Sequence, residues 1–450
     1  MKRLFSTIIA ILFITNLMAQ NNSNSNIRTG WTFGVLPSVA FDADLGFQYG
    51  ALTNVYYFGD GAIYPEYYHS FYAEAAYTTK KYGLFRLSYD SKYLIPNHRL
   101  SVDLTYLPDA MCDFLGFNGY QSRYNHAWTQ QNDANYVSRG YYKMQRDLFR
   151  FSADLQGNLS GHLYWNGGIG ILSYSVNRIN LDRLNRGSDD EDKIPDIETL
   201  YDKYVRWGLI SESEKNGGSH PYLHAGLTYD TRDRQQNPQK GFHADAFFTY
   251  TAGLGELSDY QNLKFNASWR HYVTLIPHRL TLAYRLGTQL NVAGKSPFYI
   301  NTYLNQLYMQ RVIYEGLGGA NSVRGILRNR ILADGVVFAN VELRAQLFSF
   351  KIGKENFYIG INPFIDGGMV AQEREIETSN ITPSELVANF DTEEDGISLK
   401  HDQKPHLSGG CGLKVAMNDN FVLSVDWATA FDKQDNGKIS NLYIKMGYMF

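Results

Sequence analysis

The chain has 450 residues and a formal net charge of −3, so its charge balance gives no support to nucleic-acid binding. Charged residues make up 19% of the chain, below the quarter that is usual for soluble domains, and aromatic residues reach 15%. A mean hydropathy of −0.35 still fits a membrane β-barrel, because only alternate residues of each strand meet lipid.

The amino-terminal segment has the features of a secretory signal peptide. A basic start at Lys2 and Arg3 is followed by a short apolar run that ends at Ala19. This run is too short for a membrane-spanning helix. The sequence therefore predicts a signal peptide over residues 1–19 and an outer-membrane β-barrel over residues 20–450.

Apolar residues alternate with polar ones from Trp31 to the end of the chain, with breaks at clusters of Gly, Asn, Asp and Pro. This period of two predicts an all-β fold, a transmembrane antiparallel β-barrel of about sixteen strands with no soluble domain. The predicted strands include Leu45–Phe58, Phe71–Thr78, Leu100–Leu107, Tyr141–Leu155, His162–Tyr174, Tyr222–Thr231, Phe242–Tyr250, Phe265–Leu275, Leu280–Val292, Val336–Phe348 and Phe421–Phe431.

Long polar connections alternate with short ones along these strands. The four long connections are residues 108–135, 175–221, 297–334 and 371–404. If the amino terminus is periplasmic, all four lie at the outer end of the barrel. Long outer loops with short inner turns are typical of outer-membrane barrels.

The two cysteines do not indicate a disulfide framework. Cys112 is predicted in a connection, and Cys411 on the apolar face of a strand. Two free thiols are therefore expected.

A charged trio stands out in the second half of the chain. Residues 318–325 read Gly-Gly-Ala-Asn-Ser-Val-Arg-Gly and place Arg324 in a glycine-hinged connection. Glu342 and Asp366 follow on the polar faces of the next two strands. Because side chains alternate across a strand, both carboxylates face the lumen if the apolar faces meet lipid. Arg324 would find matching partners there.

These motifs resemble those of the BamA/TamA-type outer-membrane assembly barrels, also called the bacterial surface-antigen family. The resemblance extends from about Tyr222 to Phe450, and it implies that the loop folds into the barrel and pairs its arginine with the acidic residues. Ile326 stands where family members usually have an aromatic residue. The matching residues are Val323, Arg324 and Gly325 of the loop motif, the acidic partners Glu342 and Asp366, and Phe364 and Gly368 of the strand motif. Few residues precede the first predicted strand, so we expect a member that lacks POTRA domains.

The last predicted strand resembles the assembly signal of outer-membrane barrels. Apolar residues alternate up to Tyr448 and Phe450, and the chain ends in an aromatic residue. We expect this strand to run through Phe450. The family resemblance implies a weak seam between it and the first strand, near Gly34 to Phe41.

The resemblance implies a function in the insertion or export of proteins or lipids at the outer membrane of a Gram-negative bacterium. The implied partners are outer-membrane lipid, client proteins and separate periplasmic proteins. A passive porin-like channel and a structural outer-membrane protein remain open alternatives. The residues contain no nucleophile, metal-ligand or phosphate-loop motif. We therefore expect no enzyme activity, no cofactor and no metal.

We predict that the mature protein begins at or near Gln20, because the basic, apolar and small-residue parts of the segment stand in the order that signal peptidase reads. Amino-terminal sequencing of the protein from purified outer membranes checks this. Retention of Met1 would contradict it.

Overall fold

The computed structural model describes residues 27–235, 237–257, 259–304, 315–353, 355–391, 397–399, 403–417, 421–436 and 441–450. The predicted signal segment, residues 1–19, lies outside these ranges. Within them, every helix is too short or too polar to cross a membrane.

Sixteen antiparallel strands close into one barrel, as the sequence predicts, with the first strand in two segments. Each strand pairs with its neighbours in the chain, and the last strand pairs with the first. The strands are β1 (Trp31–Pro37 and Ala40–Asp42), β2 (Gly46–Tyr57), β3 (His69–Thr78), β4 (Gly83–Ile95), β5 (His98–Asp113), β6 (Lys143–Ser160), β7 (Leu163–Asn177), β8 (Gly217–Asp230), β9 (Gly241–Thr251), β10 (Asn262–Ile276), β11 (Leu280–Gly294), β12 (Gly335–Ile352), β13 (Glu355–Gln372), β14 (His406–Met417), β15 (Phe421–Ala430) and β16 (Asn441–Met446).

The two faces of the sheet differ sharply in polarity. Val341 and Ile365 point outward and are exposed, whereas Asn340, Glu342 and Asp366 point into the lumen and are fully buried. Closure satisfies the backbone of neighbouring strands without water, which is the condition for crossing a bilayer with strands. These strands therefore place charged and amide side chains inside the barrel and apolar side chains outside it.

The long connections lie at one end of the barrel, because each follows an odd-numbered strand of the antiparallel sheet. They pack into a dome around a large apolar cluster, which also includes Leu327 and Leu332 of the connection between β11 and β12. Phe114, Tyr204 and Phe298 meet there with edge-on ring contacts. The dome includes three short helices, α1 (Leu181–Leu184), α2 (Leu200–Arg206) and α3 (Pro383–Asn389).

The structure corrects two expectations. Cys112 lies in β5 and is buried, not in a connection, because this strand continues six residues beyond the predicted Leu107. The last strand ends at Met446, not at Phe450. Gly447 has a φ of 86°, which breaks the strand and turns the final three residues inward. Both cysteines are free, as predicted.

We predict that Ile365→Lys lowers the folded yield much more than Gln48→Lys. Ile365 is 59% exposed on the lipid face, where a lysine costs ~2–4 kcal/mol near the midplane. Gln48 instead lines a lumen cavity that also contains the carboxylates of Asp42 and Glu74. The heat-dependent shift in gel mobility measures the folded fraction. Equal yields would contradict the assigned faces.

Candidate functional site: the lumen charge cluster and the barrel seam

The connection between β11 and β12 bends into the lumen at glycines. Gly318 and Gly325 have φ angles of 116° and 87°, which favour glycine. A Cβ atom on Gly318 would lie 2.0 Å from the carbonyl oxygen of Leu327, so no larger residue fits there. Residues 318–325 form the tip that carries Arg324, and we refer to them as the arginine loop.

Arg324 makes the central contacts of the lumen, and it brings together the two carboxylates that the sequence analysis named. Its Nε lies 2.8 Å from Asp366 Oδ2, and Nη2 donates to Oδ1 at 3.1 Å. Nη1 lies 2.7 Å from Glu342 Oε1. The guanidinium also stacks on the ring of Phe364 at 3.4 Å. This bidentate, stacked geometry suits arginine and not lysine.

The cluster is larger than the sequence analysis expected. Asp426 of β15 lies 3.5 Å from Arg324 Nη1 and accepts a 2.5 Å bond from Lys414. Arg344 donates to Glu342 at 3.0 Å. The cluster thus joins three cations to three carboxylates, all buried. The alternation of Ser424 and Asp426 with apolar neighbours in β15 was the signal for a third inward carboxylate.

The charge balance keeps the arginine ionised. Burial by itself would lower the pKa of Arg324, but Asp366 and then Glu342 raise it above its ordinary value. No proton exchange at Arg324 is therefore available for chemistry. The cluster joins the arginine loop to β12, β13 and β15 through charged contacts.

The other motif residues pack the arginine loop against the wall. Val323 and Ile326 are fully buried in one apolar cluster with Leu317, Ile331 and Phe338. Ile326 thus fills apolar space where the family usually has an aromatic residue. A Cβ atom on Gly368 would lie 2.9 Å from the Leu317 side chain, which explains the glycine of the strand motif.

Two further arginines of the same connection were not singled out in the sequence. Arg328 lies 2.8 Å from Asp109 and 2.6 Å from Glu315. Arg330 donates to the carbonyl oxygens of Gly119 and Ser122 at 2.7 and 2.9 Å. The connection is therefore fastened to β5 and to the dome as well as to β12, β13 and β15.

The seam between the first and last strands is short. Among the described residues, β16 pairs with β1 only through Tyr443 with Asp42 and Ile444 with Phe41. The segment Trp31–Pro37 of β1 pairs with β2 along one edge, and no described strand lies along its other edge. Neighbouring strands elsewhere share far longer ladders.

The end of the chain leaves the seam and enters the lumen. Met449 and Phe450 are buried against Tyr272 and Ala283. Arg344, which also holds Glu342, donates to the carbonyl oxygen of Phe450 at 2.6 Å. The same arginine links the end of the chain to the charge cluster.

The arginine loop also contacts the last strand directly. Gly325 N donates to the hydroxyl of Tyr443 at 3.0 Å, and Lys445 donates to the carbonyl oxygen of Ala320 at 3.0 Å. Tyr443 is one of the two β16 residues paired across the seam. The loop and the seam are therefore one connected structure.

The comparison with known families decides the identity of this barrel. The Omp85 superfamily domain matches residues 47–450. The chain belongs to the Omp85 superfamily. The resemblance to BamA/TamA-type barrels is thereby confirmed. Search of the curated proteins finds no match.

Solved structures agree with this Omp85 fold at low sequence identity. BamA from Haemophilus ducreyi lacking POTRA domains 1–3 is 16% identical, with a TM-score of 0.55 over 93% of this chain and 70% of that chain. CdiB from Escherichia coli is 10% identical, with a TM-score of 0.53 over 92% of this chain and 62% of that one. At this low sequence identity, the similarity to these two structures establishes the fold alone.

Membership of the Omp85 superfamily locates the barrel in the outer membrane and favours assembly or export over passive diffusion. Omp85 proteins are transport and assembly proteins rather than enzymes. Within the described ranges, no group of three or more His, Cys, Asp or Glu side chains is arranged to hold a metal ion.

We predict that Arg324→Ala lowers the free energy of unfolding by ~3–5 kcal/mol, because it strands buried carboxylates. Asp366→Ala should cost less, since Arg324 keeps Glu342 and Asp426. The double variant should cost less than the sum of the two single changes, because the second removes a charge that the first left unpaired. Urea unfolding in detergent micelles measures all three.

Lys92→Ala provides the matched control. Lys92 pairs with Glu66 at 3.0 Å, but both side chains are about half exposed, so its loss should cost under ~1 kcal/mol. Simple additivity of the Arg324 and Asp366 changes would show that these two residues do not act as a pair.

Proposed function

We propose that this Omp85 barrel inserts or exports proteins at the outer membrane, and that client chains engage the barrel at the seam beside Trp31–Pro37. The single observation that carries the proposal is the free edge of this segment. Seven residues of extended backbone span roughly 23 Å. The backbone N–H and C=O groups on the open edge of this segment have no partner strand among the described residues.

An unpaired strand edge is energetically unfavourable inside a bilayer. An unpaired backbone group in hydrocarbon costs several kcal/mol, so barrels normally leave none. An exposed edge is also a template for another strand. Phe33 and Val35 are 76% and 63% exposed on the lipid side of this edge. A client segment that adds to the edge would satisfy the backbone and shield it from lipid.

The filled lumen favours this function over a passive channel. The arginine loop crosses the interior at the level of the buried charge cluster, and the dome of connections packs over one end. A porin-like pathway needs an open, hydrated lumen. The filled lumen therefore supports a mechanism in which client chains engage the strands of the barrel wall.

We also propose a role for the charge cluster in this mechanism. The contacts of Gly325 with Tyr443 and of Lys445 with Ala320 join the arginine loop to β16. The charge cluster around Arg324 would then hold β16 in register while its neighbour β1 separates. Residues 1–19 would direct export and be removed, and separate periplasmic proteins would deliver the clients.

We predict that a photoreactive p-benzoylphenylalanine at Phe33 captures other proteins in living cells, and that the same group at Phe248 does not. Phe248 is also an outward, exposed aromatic residue, but it lies on β9, eight strands from β1. Both changes add the same benzoyl group to an exposed phenylalanine. Adducts identified by mass spectrometry report the client class.

Two outcomes would count against the proposal. Equal capture at both positions would show general contact with membrane proteins. Absence of adducts at Phe33, together with steady conductance of the purified barrel in planar bilayers, would favour the passive channel.

A further inference from the structure

A cationic cavity opens at the loop end of the barrel. It has a volume of about 500 Å³ and lies between the β3–β4 turn, the end of β5 and the connection between β7 and β8. Six cationic side chains line it against the two carboxylates of Asp44 and Asp109. The cations are Lys80, Lys81, Arg139, Lys143, Arg186 and Arg328.

Both carboxylates of the cavity contact Arg328, one through its guanidinium and the other through its backbone N–H. Asp109 lies 2.8 Å from Arg328, and Asp44 accepts the backbone N–H of Arg328 at 3.2 Å. Lys143 pairs with Asp113 just outside the cavity. The lining therefore carries more cationic than carboxylate side chains.

Two of the cations are available to a ligand. Lys81 and Arg186 are exposed, and within the described part of the chain their side chains make no hydrogen bond or ion pair. Lys80 is partly engaged, because it donates to the carbonyl oxygen of Ala43 at 2.7 Å. Lys81 has a φ of 70°, so the tight turn fixes its place at the rim.

The turn that carries Lys80 and Lys81 lies close to outward aromatic residues at the loop end of β2 and β3. The β3–β4 turn spans only residues 79–82, so its lysines stay close to the strand ends. Tyr49 and Tyr77 are paired across β2 and β3 near this end, and outward aromatic residues mark the membrane interface in such barrels. Lys80 follows Tyr77 by three residues, or roughly 10 Å.

We propose that this cavity binds the phosphate group of a lipid headgroup in the outer leaflet. A phosphate offers several strong acceptor oxygens, which the fork of Arg186 and the ammonium groups of Lys80 and Lys81 can share. Basic residues at a membrane surface also gain from the anionic headgroups around them. The exposed acidic run at residues 189–192 lies beside the cavity, where the carbonyl oxygen of Asp192 accepts a hydrogen bond from Arg139 at 2.6 Å. None of its side chains lines the cavity, and Asp190 pairs with Lys193. The proposal does not depend on which client the seam engages.

The test compares lipid retention by native mass spectrometry of the full barrel in detergent. Phosphatidate and phosphatidylcholine are offered at equal concentrations. We expect the wild type to retain one phosphatidate in preference, and Lys81→Gln/Arg186→Gln to bind it roughly tenfold more weakly. The matched control, Lys295→Gln/Lys433→Gln, removes two exposed loop-end cations outside the cavity and should bind like the wild type.

The results separate the alternatives. The gel-mobility shift on heating establishes that every variant is folded before it is compared. An equal loss of phosphatidate binding in the control variant Lys295→Gln/Lys433→Gln would show that the lipid is attracted by surface charge in general, and it would overturn the proposal. Complete displacement of phosphatidate by millimolar inorganic phosphate would assign the cavity to free phosphate and overturn the lipid assignment. Persistence of the lipid under that phosphate supports it.

Discussion

The ion pair between Arg324 and Asp366 is the interaction on which the interior of this barrel depends. It joins the tip of the longest inserted connection to the barrel wall, with Glu342 and Asp426 completing the charge balance. A buried ion pair adds little net stability, since the desolvation of its charges offsets their attraction. We propose that its effect is to favour one position of the arginine loop, because a displaced loop would leave buried charges without partners.

The wall imposes a second constraint, which is complete pairing of the backbone in lipid. The barrel meets this constraint at most of its strand interfaces and departs from it beside Trp31–Pro37. Gly447 is one local cause, because the turn at this residue ends β16 and directs Tyr448 to Phe450 into the lumen. The lost pairing at the seam is matched by new contacts inside, where Arg344 holds both the end of the chain and Glu342.

These two constraints act in opposite directions at β16. Its inner face is held by the arginine loop through Tyr443 and Lys445, while its outer edge shares two residue pairs with β1 in the part of the chain that the structure describes. A strand that is fixed from inside and weakly paired at its side gives a defined place for another chain to enter the sheet. The cationic cavity beyond β3 lies on the same side of the barrel, because β1 to β5 are consecutive strands. A bound headgroup there would order the lipid next to the seam.

The sequence by itself determined the parity of the strands, the trio of Arg324, Glu342 and Asp366, and the class of the fold. Alternation depends only on local backbone geometry, so it is readable in the residues. Tertiary structure alone decided that Asp426 joins the cluster and that Arg328 and Arg330 fasten the same connection, since these contacts join residues about a hundred or more positions apart.

Tertiary structure also decided where Tyr448 and Phe450 lie. Their spacing continues the strand pattern, but the turn at Gly447 and the pocket of Tyr272, Ala283 and Arg344 draw the chain inward. Their role as an assembly signal stays a prediction, because the contacts of the folded barrel do not report how it was assembled.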